Sequence, residues 1–372
     1  MWKIWKEELY KLASRRILWI GLFLLAGFMG MRLLSERGNY TITVGQQTYT
    51  GQEAIEKDRQ ITAEYAGILT FETVEKIYDR FGFYYYNART DSYIGNFANQ
   101  FITYKMTNFN QTEEISPEEI HFLAEEDWEQ NAAPLLNGTV WFDYTYGWND
   151  FREIFCILTV AALLLLFIIG ISPVFSEEYT YQTADILLTC RRGRKSGIWL
   201  KMSAAVFLAA AVYAVSALYL FVLYAAVYGT QGLDASCVLI NVPVSGYHPE
   251  KISGFFLYSF LLGLSAVLLV TFMTLAVSAC CKNAFLTVIL SLALFFLPYV
   301  WMNVLSPMLA PLLGWNIIKA VSHFIVSMPF YLSVSWGFAF SEREILLHML
   351  TAAATGCFCA VSGYYKYRNY QG

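Results

Sequence analysis

Residues 173–201 read PVFSEEYTYQTADILLTCRRGRKSGIWLK, the only long, charge-dense stretch of cytosolic type between apolar runs, and their reading decides how the chain is organised. Taken as a helix opening at Ser176, the stretch sets Tyr179, Thr183, Ile186, Leu187 and Cys190 on one face. Glu177, Glu178 and Asp185 load its first half, while Arg191, Arg192, Arg194 and Lys195 follow its end. Acid first and base last suits the helix dipole. An amphipathic knob with anchors at helical spacing fits a groove on a partner subunit. Basic residues beside a span also act as topology signals or contacts to anionic lipid, and the residues alone leave both readings open.

Outward from this stretch the chain is apolar. Of 372 residues, 57% are hydrophobic and 15% charged, well below the quarter or so charged in soluble domains. Crossing about 30 Å of hydrocarbon takes about 20 residues, and six runs qualify: 17–34, 152–172, 202–228, 253–279, 284–303 and 345–365. The first run follows a basic stretch but has no small-residue cleavage site, and Arg32 and Leu33 continue past it, so it reads as a retained helix. With the amino terminus inside, the inner short loops collect about thirteen Lys and Arg against about six outside, which predicts both termini in the cytosol.

Trp2, Trp5, Leu9 and Leu12 share one face of the opening helix, with Lys3, Lys6, Lys11 and Arg15 around it. That pattern predicts a helix lying in the membrane interface, or a basic flank that sets topology. Residues 35–150 form an external domain in which Asp and Glu outnumber Lys and Arg by roughly nineteen to seven, enough chain for a modest core. Tyr40, Ile42 and Val44 alternate before Gly45 and predict a hairpin; 52–65 and 71–81 read as helices. Ser116-Pro117-Glu118-Glu119 is a capping box predicted to open a helix to Gln130. Residues 304–343 are apolar and interrupted by Pro307, Pro311 and Pro329, which fits re-entrant or interfacial helices, or else a loosely packed outer loop. The expected fold is mainly α: a polytopic membrane protein with six transmembrane helices, plus an α+β extracellular domain. Its parts are 1–34 (interfacial helix and first span), 35–150 (external domain) and 151–372 (spans two to six).

Signatures of chemistry are missing. GxxxxGK[ST] does not occur, and Gly193-Arg194-Lys195-Ser196 has neither the strand nor the upstream glycine of a phosphate loop. His121, His248, His323 and His348 stand singly rather than a helical turn apart, and GxSxG is absent. None of the seven cysteines lies in residues 35–150, so no disulfide framework is implied. The apolar runs hold essentially no ionisable residue, whereas ion-driven carriers keep such groups at a cost of about 3 kcal/mol. No catalytic, cofactor-binding or metal residue is expected. Energy for any transport must come from a partner.

Several of these residues carry a resemblance. Glu8-Leu9-Tyr10-Lys11 with Arg15-Arg16, and then Glu177 or Glu178, Thr183, Leu187-Leu188, Arg191-Arg192 with Arg194, and Lys201, follow in order a pattern that resembles the permease subunits of ATP-binding-cassette exporters of the type 2 class. That family often has Gly before the Thr and Pro before the basic turn, where this chain has Gln182 and Cys190. The resemblance implies a multi-pass permease of a bacterial cell membrane that pairs with itself or a sister permease. It would rest on two ATPase subunits, which bind the ATP and magnesium, and move a peptide, lipid-like or drug-like substrate outward. Its partners would be those subunits and the lipid bilayer, with no nucleic acid. The reading from a different class is a membrane sensor or scaffold whose external domain binds a cationic peptide and signals to a cytosolic partner.

Overall fold

The computed structural model describes residues 1–45, 47–87, 92–109, 117–123, 138–190, 193–240, 251–333 and 342–370. In chain order, α1 (Trp2–Ala13) is followed by α2 (Arg16–Asn39), the hairpin β1 (Thr41–Val44) and β2 (Gln47–Thr50), and α3 (Gly51–Ala63). Next come β3 (Gly67–Ile68), α4 (Phe71–Phe81), β4 (Tyr85–Asn87), β5 (Ser92–Ile94), α5 (Phe97–Met106) and β6 (Trp141–Phe142). The remainder is helical: α6 (Tyr146–Thr180), α7 (Thr183–Thr189), α8 (Gly193–Tyr228), α9 (Ile252–Cys280), α10 (Ala284–Leu313), α11 (Trp315–Val326), α12 (Pro329–Ser333) and α13 (Glu342–Arg368). Among the described residues six helices, namely α2, α6, α8, α9, α10 and α13, are long and apolar enough to cross a membrane.

Each span runs further than its hydropathy suggests. α6 continues through Pro173, which has no N–H to donate and interrupts the backbone ladder. Ser278 of α9 repairs the interruption: its hydroxyl donates to the Ser172 carbonyl at 2.6 Å and accepts the N–H groups of Phe175 and Ser176 at 3.0 and 3.1 Å. α10 widens into a π-turn at Trp301–Leu305, passes the predicted break at Pro307 and stops only at Gly314, whose φ of +82° suits glycine. Of the stretch 304–343, residues 315–333 form the two short helices α11 and α12, and 334–341 lie outside the described residues.

The chain divides into two compact units. One comprises Met1–Phe28, Glu153–Leu220 and Leu257–Gly372 and is wholly helical among the described residues; its core is Leu18, Leu163, Leu164, Phe167, Ala266, Val270 and their neighbours. Gly170 and Gly21 let α2 and α6 approach, since a methyl group on either would run into Leu18 or Leu166.

The other unit comprises Met29–Arg152 and Phe221–Phe256. It combines helices with three antiparallel strand pairs, β1–β2, β3–β6 and β4–β5. The hairpin forms where the alternation predicts it, with Thr41 opposite Thr50 and Val44 opposite Gln47. α3 and α4 also fall where expected, and Thr70 caps α4 by accepting the Thr73 N–H. The capping-box helix does not form as read. Pro117–Glu119 makes a single 3-10 turn, after which Phe122 pairs with Thr107 and the Leu123 N–H bonds the Met106 carbonyl at 3.1 Å. Pairing with the end of α5 wins over local propensity, and 124–130 lie outside the described residues. The core is aromatic, with Phe97, Phe101, Phe142 and Tyr144 in contact.

One carboxylate, Asp58 on α3, is fully buried in this core. It accepts the Tyr40 hydroxyl and the Phe97 N–H at 3.0 and 3.1 Å, so it joins the start of β1 to the start of α5. Burial outweighs these hydrogen bonds and pushes its pKa up to about 7. Below about pH 4 the group is neutral folded or unfolded; between about pH 4 and 7 only the unfolded chain ionises, so stability falls by up to about 1.4 kcal/mol per pH unit and then levels off. In the full chain, intrinsic-rate-corrected hydrogen exchange at α3 and Phe97 is expected to quicken from pH 5 to pH 7. Asp58→Asn should remove that dependence; an unchanged pH profile in the variant would refute the assignment.

Candidate functional site: residues 173–201 seated on a buried ion cluster

At the carboxyl end of α6 two adjacent glutamates face different neighbours. Glu178 is 4% exposed. One of its oxygens accepts the Lys201 ammonium from α8, itself 6% exposed, and the other accepts the Tyr367 hydroxyl from α13. Lys11 of α1 lies 3.9 Å from Glu178, and Glu8 of α1 lies 4.0 Å from Lys201. Glu177 turns the other way and accepts Arg15 at 2.8 Å, while the second arm of that guanidinium bonds the Gly170 carbonyl at 3.2 Å. Burial pulls the Arg15 pKa down and Glu177 draws it back up; a guanidinium stays charged through such shifts.

Aromatic rings wall the cluster. Tyr367 packs on Phe175 with centroids 4.6 Å apart, Tyr179 lies 4.4 Å from Tyr370, and the Tyr179 hydroxyl donates to the Ala279 carbonyl at 2.9 Å. The low-dielectric surround strengthens each ionic contact and raises the cost of losing one. Both ends of the chain, α1 and the last turn of α13, therefore meet at one carboxylate.

Beyond Thr180 the chain leaves the cluster. The single helix read from Ser176 is in fact two, because Gln182 takes φ +54° and ends α6 before α7 begins at Thr183. Tyr179 is thereby parted from the face it was read to share with Thr183, Ile186, Leu187 and Cys190: it is buried, while those residues lie on α7 and at its end. Thr183 is exposed, Leu188 is half-buried, and Tyr181 and Ile186 are 73% and 68% exposed, with Leu187 exposed beside them. Arg194 is exposed; Arg191 and Arg192 lie outside the described residues. Gly193 crosses against the Leu187 carbonyl where a side chain would collide.

The opening helix ends at Ala13 and a new one starts at Arg16, so α1 is a separate element. Leu12 is buried, Leu9 and Trp5 are half-buried, and Trp2 is exposed but stacked on Trp5 at 5.0 Å. Trp5 meets Phe207 of α8 at 5.3 Å. A cavity of about 240 Å³ lies between Ile4 and Glu8 of α1, Leu187 of α7, and Lys201.

Sequence reasoning placed Glu177, Glu178, Thr183 and Lys201 in one pattern but did not pair the acid with the lysine, and it passed over Tyr367, which lies 189 residues from Glu178. The apolar runs were bounded short of Glu178 and Lys201, so the buried charge pair went unread. His348 is buried and bonds Ser327 at 2.8 Å. Among the described residues no group of His, Cys, Asp and Glu could hold a metal ion. No protein-family model matches the chain, and no curated protein or solved structure matches it either.

Two measurements check this geometry. Glu178→Gln or Lys201→Met alone leaves its partner unpaired and is expected to cost about 3–5 kcal/mol, whereas the double variant should recover much of that; thermal unfolding in detergent across the double-mutant cycle reads the coupling, and additive losses would deny the pair. Gln182→Gly relieves a left-handed side-chain conformation and should stabilise by about 1 kcal/mol, while Gln182→Val should destabilise.

Proposed function

We propose that this chain is the membrane-spanning permease subunit of an ATP-binding-cassette exporter of the type 2 class, working as a pair and driven by separate ATPase subunits that carry ATP and magnesium. The observation that carries this reading is the division of labour in residues 173–201. The base of the segment is pinned by Glu177 and Glu178, while beyond it Tyr181, just before α7, and Ile186 and Leu187 on α7 are exposed. Bare apolar side chains on a short helix lose about 25 cal/mol per Å² of favourable burial until a partner covers them, and anchors at this spacing suit a groove. A push on α7 passes directly to Glu178, and from it to α8, α13 and α1. In this reading the end carrying both termini is cytosolic and residues 35–150 face outward.

The test is co-purification with an ATPase encoded beside this gene. Ile186→Asp with Leu187→Asp changes exposed positions only, so the fold should persist while the ATPase is lost from pull-down and substrate-stimulated hydrolysis falls at least tenfold. Retention of the ATPase by this variant, or the lack of any ATPase partner for the wild type, would overturn the proposal.

A further inference from the structure

A second feature lies at the same end of the helical unit, on the far side of Tyr179. A cavity of about 650 Å³ opens between the ends of α9 and α13, lined by Tyr179, Cys280, Lys282, Tyr365, Lys366 and Asn369. No carboxylate lines it, and neither lysine has a carboxylate partner among the described residues. Lys282 lies over the Tyr370 ring at 5.3 Å. The last carbonyls of this α9 end are already occupied, Ala279 by the Tyr179 hydroxyl and Lys282 by the Thr180 hydroxyl at 3.1 Å, which tempers the negative helix terminus.

Deeper along the same two helices is an apolar cavity of about 550 Å³, lined among others by Met273, Val277, Leu294, Phe324, Phe358 and Cys359. The two cavities share one face. On α13 the lining residues Thr355, Cys359, Ser362, Lys366 and Asn369 recur every three or four positions, and on α9 Met273, Val277 and Cys280 do the same. Val277 and Cys280 sit one turn apart, which brings the apolar groove to within a helical turn of the basic pocket. Its floor is the close approach of Gly363 to Ala276, where a Cβ would stand 3.1 Å from the Ala276 Cα. From Ala354 to Lys366 the crevice runs about 18 Å at 1.5 Å per residue, the scale of a phospholipid acyl chain. Basic pockets at the ends of membrane helices hold anionic headgroups.

We infer that the α9–α13 crevice is a binding site for one anionic phospholipid, with its phosphate between Lys282 and Lys366 and an acyl chain along Met273, Val277 and Phe358. The inference rests on the six spans lying in a bilayer and not on the exporter reading.

Native mass spectrometry of the full chain, released from detergent and titrated with dioleoyl phosphatidylglycerol or dioleoyl phosphatidylcholine, tests it. Phosphatidylglycerol should bind at least tenfold more tightly, and Lys282→Gln with Lys366→Gln should abolish that preference; both lysines are exposed, so circular dichroism should be unchanged, and Lys319→Gln serves as the control. Cys359→Trp, which fills the groove, should weaken the dioleoyl lipid but not its dihexanoyl counterpart. Equal binding of the two headgroups, or a preference that survives loss of both lysines, would overturn the site. Full displacement by inorganic phosphate would make it a plain anion site and overturn the lipid assignment. Selective phosphatidylglycerol binding by a wild-type chain that proves to have no ATPase partner would reject the exporter reading alone.

Discussion

Glu178 is the constraint on which the helical unit depends. A carboxylate at the end of an apolar helix, out of contact with water, is tolerated only when its charge and both oxygens are answered. Lys201 answers the charge, Tyr367 takes the second oxygen, and Lys11 stands nearby. These partners come from three helices distant in sequence, so satisfying one side chain fixes where α1 lies, where α8 begins and where α13 ends. Six helices long and apolar enough to cross a membrane agree with α1 and the end of α13 meeting at one carboxylate, because an even number of crossings would return the chain to the side on which it began.

The same requirement explains why residues 173–201 divide into an inward and an outward half. From Ser176 to Thr180 each polar side chain has a partner within the chain, and the backbone beside Pro173 borrows the Ser278 hydroxyl. At Gln182 the backbone turns left-handed and the helix restarts in a new direction. Glycine adopts such a conformation without steric cost, whereas glutamine holds it against the crowding of its own Cβ. Past the turn, α7 carries its apolar side chains outward.

What was legible in the sequence was what local chemistry determines. Alternation at Tyr40, Ile42 and Val44 gave the hairpin, local pattern gave α3 and α4, and the length of the apolar runs gave the six long helices. Illegible were outcomes set by distant partners. Ser116 to Glu119 has the composition of a helix start, yet the following residues pair with the end of α5, a competition no local pattern reveals. Tyr367 lies among other tyrosines near the carboxyl end and carries no signal that it, rather than Tyr364 or Tyr365, turns inward. Hydropathy averaging stopped the spans where charges began, although a buried ion pair lets a helix continue through them.

Charge at this end of the helical unit follows from the same pairing. The acids Glu8, Glu177 and Glu178 are engaged with Lys11, Arg15 and Lys201, and these groups approach balance among themselves. What remains outward is the exposed Lys3, Lys6, Arg16, Arg194, Lys195, Lys282 and Lys366 against the exposed Glu7 and Asp185, a surplus of positive charge set around apolar helices. Such a rim is drawn to an anionic leaflet by about 1 kcal/mol per basic residue near the surface. The buried cluster engages Glu8, Glu177 and Glu178, acids that would otherwise offset this rim, so the interaction that holds residues 173–180 in place also leaves Lys282 and Lys366 available to the phosphate proposed for the mouth of the α9–α13 crevice.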